Sequence, residues 1–204
     1  MHFNYIKSFL SKKESDWLYT QLLKEVPWRQ VKYYKPDRGL VTTPRLTCCY
    51  GFHQKDFYDL YLPQQITPLQ IPLWLVPLKE YVEAQTSQDY NFVLLSYYEN
   101  GANSIGYHSD DEGFLGKNPT IPSITVGAER LFCLKNKSTK QVSKHLLSHG
   151  DLFVMQNDCQ SNYMHSVPKT KNLVLPRISL TFRKVLSEAG SKNYYKYNYL
   201  NKII

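Results

Sequence analysis

Two histidines and one aspartate have the residue types and spacing that could bind a reactive metal. His108 and Asp110 stand two positions apart in the stretch Gly106-Tyr-His-Ser-Asp-Asp-Glu112, and His165 follows at a distance. Side chains two positions apart on an extended segment project to one face, so this pair could share a metal with His165 from a strand formed by residues 160–165. Two imidazoles and one carboxylate leave coordination positions open, which suits Fe(II) that binds a chelating cosubstrate and O₂.

Two arginines supply a second chemical signal. Arg177 and Arg183 lie six positions apart in the stretch Arg-Ile-Ser-Leu-Thr-Phe-Arg, so on a strand they would share one face. The guanidinium group is the side chain best matched to bidentate capture of a carboxylate, and 2-oxoglutarate carries two carboxylates. A buried face does not ordinarily hold two arginines without anionic partners. The alternative is that each arginine pairs with an aspartate or glutamate of the protein.

Short runs of β-branched and aromatic residues surround these positions and predict strands. Clusters of Gly, Asn and Pro bound the runs, as expected for turns. Many short strands at regular spacing, preceded by helices, favour an antiparallel double-sheet roll with the helices packed outside. The predicted strands cover residues 92–98, 123–126, 130–135, 152–155 and 178–185.

The first part of the chain carries helix signals instead. Ser11 and Glu14 form the pattern of a capping box that opens a helix, and Pro27 closes the segment. A second helix is predicted from Pro72 or Pro77 to about Gln85. These elements are expected to pack on the outside of the roll.

Composition limits the class of protein and the compartment. The 204 residues have a formal net charge of +8, which makes nucleic acid or an anionic membrane surface a plausible partner, although a merely basic protein is the alternative. The four cysteines lack CxxC spacing, and the chain starts without a signal-peptide pattern. The most apolar stretch, Ile71 to Leu78, is short and contains two prolines, so we expect no membrane span. We expect an intracellular monomer, in the nucleus or cytoplasm.

Several linked motifs, in their order and spacing, resemble the AlkB family of Fe(II)- and 2-oxoglutarate-dependent dioxygenases. The similarity covers about residues 40–185 and is closest to the branch that repairs alkylated bases in nucleic acid. It implies an α+β fold with a double-stranded β-helix (jelly-roll) core and N-terminal helices packed outside. The segments that carry it are Thr43–Gly51, Asn91–Tyr98, Ser104–Glu112, Ser123–Phe132, Ser148–Leu152, His165–Pro168 and Pro176–Lys184.

This resemblance implies one catalytic domain over residues 1–204. Residues 1–90 would hold the N-terminal helices and a nucleotide-recognition lid, and residues 91–185 the jelly-roll core. Residues 186–204 form a basic, tyrosine-rich tail, which could follow a phosphate backbone or pack on the domain.

The resemblance also implies roles for individual residues at the iron and the cosubstrate. His108, Asp110 and His165 would ligate Fe(II). Arg177 would pair with the distal carboxylate of 2-oxoglutarate with help from Tyr98, and Arg183 would lie on the side of the metal. Ser96 and Ser179 stand beside the cosubstrate where the family commonly has asparagine, so the strength of cosubstrate binding is an open question.

Further roles concern the nucleic acid. Asp111 would meet the amino edge of the target base, and Arg130 would line the same pocket. Tyr50 and Tyr107 are the aromatic residues expected near a base flipped out of its helix. A hairpin over the substrate would stack on bases or contact phosphates, or else be exposed and uninvolved; its candidate residues are Lys32, Tyr33, Tyr34, Lys35 and Arg38.

The activity implied by the resemblance is oxidative removal of N-methyl groups from N1-methyladenine and N3-methylcytosine in DNA or RNA, with release of formaldehyde. Two alternatives stay open. One is a 2-oxoglutarate-dependent hydroxylase of a protein or a small molecule, with the same iron site and a different outer pocket. The other is a nucleic-acid-binding module whose metal site has decayed.

Overall fold

Two antiparallel sheets face each other in the computed structural model, which describes residues 1–35, 39–51 and 68–186. The predicted strands are present, and the double-sheet roll is confirmed. Central strands such as Ile121–Gly127 and Asp151–Met155 are buried at nearly every position, and their near-continuous apolar and β-branched residues suit a strand that is covered on both faces.

The larger sheet has seven strands in the order β1-β9-β6-β11-β4-β3-β2. It contains Arg177 and Arg183, the two arginines predicted to bind 2-oxoglutarate, at the two ends of β11. Its strands are β1 (Phe3–Ile6), β2 (Arg29–Lys35), β3 (Gly39–Gly51), β4 (Phe92–Tyr98), β6 (Ile121–Gly127), β9 (Asp151–Met155) and β11 (Arg177–Arg183).

The smaller sheet has four strands in the order β5-β10-β7-β8. It contains both predicted metal-binding histidines, which lie opposite each other in the ladder between β5 and β10. Its strands are β5 (Ile105–His108), β7 (Arg130–Asn136), β8 (Val142–Leu147) and β10 (Tyr163–Val167).

The helices pack on the outer side of the larger sheet. Helix α1 (Lys12–Glu25) begins with the predicted capping box, in which Ser11 and Glu14 bond each other's backbone N–H groups. Helix α2 (Val76–Thr86) follows a 3₁₀ turn at Leu73–Leu75 and buries Val82 completely. No helix in the described ranges is long and apolar enough to cross a membrane.

Two apolar clusters divide the interior according to the faces of the larger sheet. One cluster joins α1 and α2 to the outer face through residues such as Leu22, Val93 and Leu180. The other fills the space between the sheets, where the ring centroids of Phe132 on β7 and Phe153 on β9 lie 5.0 Å apart. The candidate site lies at this inter-sheet level.

The N-terminal part contributes more than helices and a lid. Strand β1 pairs with β9 along its whole length, and the β2–β3 hairpin extends the larger sheet beyond β4. Residues 1–90 therefore also supply strands to the larger sheet. The tail predicted over residues 186–204 lies, beyond its first residue, outside the described residues.

A candidate active site between the two sheets

The three predicted metal ligands come together although they lie up to 57 positions apart. Ligand atoms of His108, Asp110 and His165 lie within 4.8 Å of one another. Nε2 of His108 is 3.6 Å from Oδ1 of Asp110, and the two imidazole rings have centroids 4.1 Å apart. Nδ1 of His108 donates a hydrogen bond to the Gly106 carbonyl at 2.9 Å, which directs Nε2 towards the shared space.

One part of the expectation for His165 was wrong. Residues 160–165 were predicted to form one strand, but Cys159–Asn162 forms a single helical turn, α3, and β10 begins only at Tyr163. The turn brings the chain back antiparallel to β7, so that His165 still faces the inter-sheet space.

Burial and local charge keep His108, His165 and Asp110 in the protonation states that bind metal. Burial, together with the charge of His108, lowers the pKa of His165 to about 3, and burial also lowers the pKa of His108. Burial alone would raise the pKa of Asp110, but the positive charge of Arg183 outweighs it and holds that pKa well below its usual range. Neutral imidazoles and an ionised carboxylate are the forms that ligate a metal. The donor set therefore fits Fe(II).

A cavity of about 200 Å³ extends from the three ligands between the sheets. Arg177 lies in its wall, 2 % exposed, and Nη2 donates to Thr125 Oγ1 at 2.9 Å. Its Nε and Nη1 are buried without an acceptor in the described part of the chain. Tyr98 lies opposite Arg177 in the ladder, with its ring centroid 5.2 Å from the guanidinium carbon. An unsatisfied buried guanidinium is costly, so this end of the cavity suits a carboxylate ligand.

Alternation along β11 and β4 directs the remaining predicted cosubstrate residues into the same cavity. Ser96 and Ser179 are opposite each other in the ladder and both line the cavity. Arg183 lines it at the metal end, where Nη2 is 2.8 Å from Oδ2 of Asp110. The alternative of an ion pair with a protein carboxylate therefore holds for Arg183, whereas no such pair involves Arg177 among the described residues.

The segment after β5 brings Glu112, rather than Asp111, into the cavity. His108, Asp110 and Glu112 alternate along an extended stretch and all line the cavity. The Asp111 side chain points the other way, is 45 % exposed and lies 3.8 Å from the Lys137 ammonium. Tyr107 also faces outward, with Lys135 Nζ 5.4 Å from its ring centroid. Neither Asp111 nor Tyr107 lines the cavity, and their expected contacts with a bound base stay predictions.

Glu112 has a buried, unpartnered carboxyl oxygen and a raised pKa, which are typical of residues that bind ligands. Its Oε2 is buried without a hydrogen-bond partner in the described ranges. Burial, opposed by Arg183 and reinforced by Asp110, raises the pKa of Glu112 to about 7. A buried carboxyl group with an unused acceptor, facing the candidate metal, marks the cavity wall where a polar ligand would be recognised.

Arg130 and Tyr50 were also expected in the substrate pocket, and neither lines the cavity. Arg130 is buried, and its guanidinium donates to the carbonyl oxygens of Asn100, Asn103 and Pro168 at 2.7–3.1 Å. It therefore braces two loops. Tyr50 faces the opposite side of β3 from the cavity and packs in the cluster under the helices.

The hairpin residues are only partly described. Lys32 is exposed on β2 and lies opposite Thr42 in the ladder with β3. The backbone of the strand continues through Tyr33, Tyr34 and Lys35. Arg38 lies outside the described residues. Their roles over a substrate stay predictions.

Sequence reasoning missed a cavity residue on β3 as well. Arg45 shares the face of Thr47, which is opposite Ser96 in the ladder, and its Nε donates to Ser96 Oγ at 3.3 Å. Alternation within the segment Thr43–Gly51, one of those that carry the family resemblance, was the available signal, since Arg45 and Tyr50 are separated by an odd number of positions.

Comparisons with known proteins agree with this geometry. Residues 2–183 match the family model described as the 2OG-Fe(II) oxygenase superfamily. The chain is 36 % identical over 190 residues to the alpha-ketoglutarate-dependent dioxygenase alkB homolog 3 of Mus musculus, covering 87 % of this chain and 64 % of that protein. It is 32 % identical over 190 residues to the DNA oxidative demethylase ALKBH2 of Homo sapiens, covering 86 % of this chain and 70 % of that protein.

The fold has a match among solved structures. The structure of OsALKBH1 superposes with a TM-score of 0.63 at 17 % identity, over 90 % of this chain and 98 % of the other. The chain thus spans a little under two thirds of the length of the alkB homolog 3 protein, while matching the oxygenase fold nearly throughout. On these grounds the chain belongs to the 2OG-Fe(II) oxygenase superfamily and, within it, to the AlkB family.

Proposed function

We propose that this protein is an oxidative demethylase that uses Fe(II), 2-oxoglutarate and O₂ to remove N-methyl groups from bases of DNA or RNA. The observation that carries the proposal is one cavity with three distinct chemical regions. It has the donor set of His108, Asp110 and His165, unused guanidinium donors on Arg177, and a buried carboxyl group on Glu112.

Arg177 would anchor the distal carboxylate of 2-oxoglutarate. Its unused Nε and Nη1 offer hydrogen-bond donors to a carboxylate, and burial excludes competing water. Thr125 holds the third nitrogen and so orients the group. The hydroxyls of Ser96 and Ser179 would contact the cosubstrate where the family commonly has amides.

Glu112 would recognise the base, in place of Asp111. A carboxyl oxygen accepts a hydrogen bond from the exocyclic amino group that N1-methyladenine and N3-methylcytosine both carry. A base edge with only carbonyl groups would leave that oxygen unpaired and would be disfavoured. Both methylated bases therefore suit the same pocket.

The site must also receive a nucleotide. The methyl group on such a base edge is hidden in a duplex, so the nucleotide has to be extruded or already single-stranded. The net charge of +8 favours polyanionic substrates, and the ALKBH2 relative is named a DNA oxidative demethylase.

The bound iron would supply oxidation of the N-methyl group, with O₂ and 2-oxoglutarate consumed and succinate and CO₂ formed. The hydroxymethyl product on nitrogen then separates into formaldehyde and the unmodified base. The protein groups act by orienting cosubstrate and base and by excluding other reactants.

The proposal is tested with matched single- and double-stranded DNA and RNA oligonucleotides that each carry one N1-methyladenine or N3-methylcytosine. We expect formaldehyde and succinate in equal amounts, with loss of one methyl group by mass spectrometry, and no product without Fe(II). Succinate formed on these substrates without formaldehyde would show that the substrate is of another class. Equal binding of methylated and plain oligonucleotides without turnover would show a binding module.

A further inference from the structure

Gln160 lies beside the candidate metal site but does not line its cavity. It sits in the single helical turn α3, five positions before His165, and is 2 % exposed. Its side-chain Oε1 accepts a hydrogen bond from the backbone N–H of Asp110 at 2.9 Å. The Gln160 carboxamide is thus hydrogen-bonded to the backbone of Asp110, a candidate metal ligand 50 positions away in the sequence.

The backbone N–H of Asp110 has no partner in the four-stranded sheet, because Asp110 follows the end of β5. Strand β5 ends at His108, whose ladder partner on β10 is His165, so Asp110 lies beyond the last pair of this ladder. A loop residue with no ladder partner needs another acceptor for its buried N–H. Gln160 supplies that acceptor.

The carboxamide is itself held on its other side. Nε2 of Gln160 donates to Sδ of Met155, at the end of β9, at 3.3 Å. The backbone carbonyl of Gln160 accepts from Nζ of Lys137 at 2.7 Å. With both ends of the side chain engaged, its oxygen has one orientation towards Asp110.

We infer that Gln160 is a positioning residue of the metal centre, which ties the loop of Asp110 to the segment that leads to His165. The inference rests on the proposed metal site. Arg183 holds the Asp110 carboxylate, while Gln160 holds the Asp110 backbone, so together they set the direction in which the carboxylate faces the two imidazoles. Groups that orient metal ligands in this way typically change metal affinity about 10- to 100-fold when they are replaced.

Replacement variants separate this role from packing. Gln160→Met keeps the side-chain length and removes the acceptor. Gln160→Asn keeps the amide but shortens the reach to Asp110, whereas Gln160→Glu keeps an acceptor at the full reach. Gln156→Met is the matched control, because Gln156 lies on the same segment, is half-buried, and its side chain has no hydrogen bond among those described.

The 204-residue chain, stripped of metal, is titrated with Mn(II), and free Mn(II) is followed by electron paramagnetic resonance. We expect affinity to fall about 10- to 100-fold in Gln160→Met and Gln160→Asn, and to stay near wild type in Gln160→Glu and Gln156→Met. Thermal unfolding of each metal-free variant is recorded in parallel.

Wild-type affinity in Gln160→Met and Gln160→Asn would overturn the inference. It would also be overturned if Gln160→Glu binds as weakly as Gln160→Asn, because the acceptor would then be irrelevant. If Gln160→Met does not fold, the comparison of Gln160→Asn with Gln160→Glu decides. Failure of the wild-type protein to bind Mn(II) at all would instead count against the proposed function.

Discussion

Nη2 of Arg183 lies 2.8 Å from Oδ2 of Asp110, so the last residue of β11 holds the carboxylate of a candidate iron ligand. Both side chains are almost fully buried, at 7 % and 3 % exposed. One ion pair thereby joins the seven-stranded sheet to the loop that follows β5. This contact makes the metal site part of the packing between the two sheets.

Asp110→Ala should abolish Fe(II)-dependent turnover and also destabilise the metal-free protein. Removing one partner of a buried pair leaves the Arg183 charge uncompensated, which costs about 3–5 kcal/mol. Urea unfolding of the metal-free variant measures this loss. Asp16→Ala is the control, since Asp16 is exposed and its pairs with Lys12 and His149 lie at the surface, so the free energy of unfolding should stay close to that of wild type. Equal stability of the two variants would contradict a buried Arg183–Asp110 pair.

Arg177→Lys should raise the KM for 2-oxoglutarate by roughly 10- to 100-fold, because a lysine keeps the charge but loses the paired donors that match a carboxylate. Succinate formation without nucleic acid measures this KM directly. Lys184→Ala, which removes an exposed cation paired with Asp89, should leave it unchanged. An unchanged KM in Arg177→Lys would mean that the dicarboxylate binds elsewhere.

Glu112→Ala should lower the rate of demethylation by roughly 10- to 100-fold, the loss expected for one base-reading contact, while 2-oxoglutarate turnover without substrate continues. Asp111→Ala should have little effect on either reaction, because its side chain points away from the cavity. Formaldehyde and succinate measured in the same samples distinguish the two activities. A larger loss of demethylation in Asp111→Ala than in Glu112→Ala would reverse the assignment.

Arg130→Met should lower the free energy of unfolding by about 3 kcal/mol, since it removes three hydrogen bonds that a buried guanidinium donates to loop carbonyl groups. The KM for 2-oxoglutarate should stay at the wild-type value, because Arg130 does not line the cavity. Urea unfolding and succinate formation are the two measurements. Lys144→Met on exposed β8 serves as the control for the substitution itself. A raised KM in a stably folded Arg130→Met would restore a pocket role.

Much of the site was predictable from the chain alone. The positions of the strands follow from short runs of β-branched and aromatic residues, and a strand of known position assigns Arg177, Ser179 and Arg183 to one face by alternation. The ligands His108 and Asp110 follow from the same rule. Alternation along one strand can be read from the sequence without knowing which residues lie on the facing sheet.

The same rule also indicates which neighbours of the ligands line the cavity. Residues 107 and 111 differ from 108 and 110 by an odd number of positions, and Tyr107 and Asp111 lie outside the cavity. Glu112 has the matching parity and lines it. The motif resemblance alone gave no role to Glu112.

Other features required the tertiary structure. Whether Arg130 meets a ligand or three loop carbonyls depends on where residues 100–103 and 168 return in space. The contact between Gln160 and the Asp110 peptide likewise joins segments 50 positions apart through a helical turn that the strand pattern did not predict. The sequence by itself determined which residues could ligate, bind and pair, because residue type and alternation are local. Only the packing of one sheet on the other decided which of them meet, because distances between remote segments depend on the whole core.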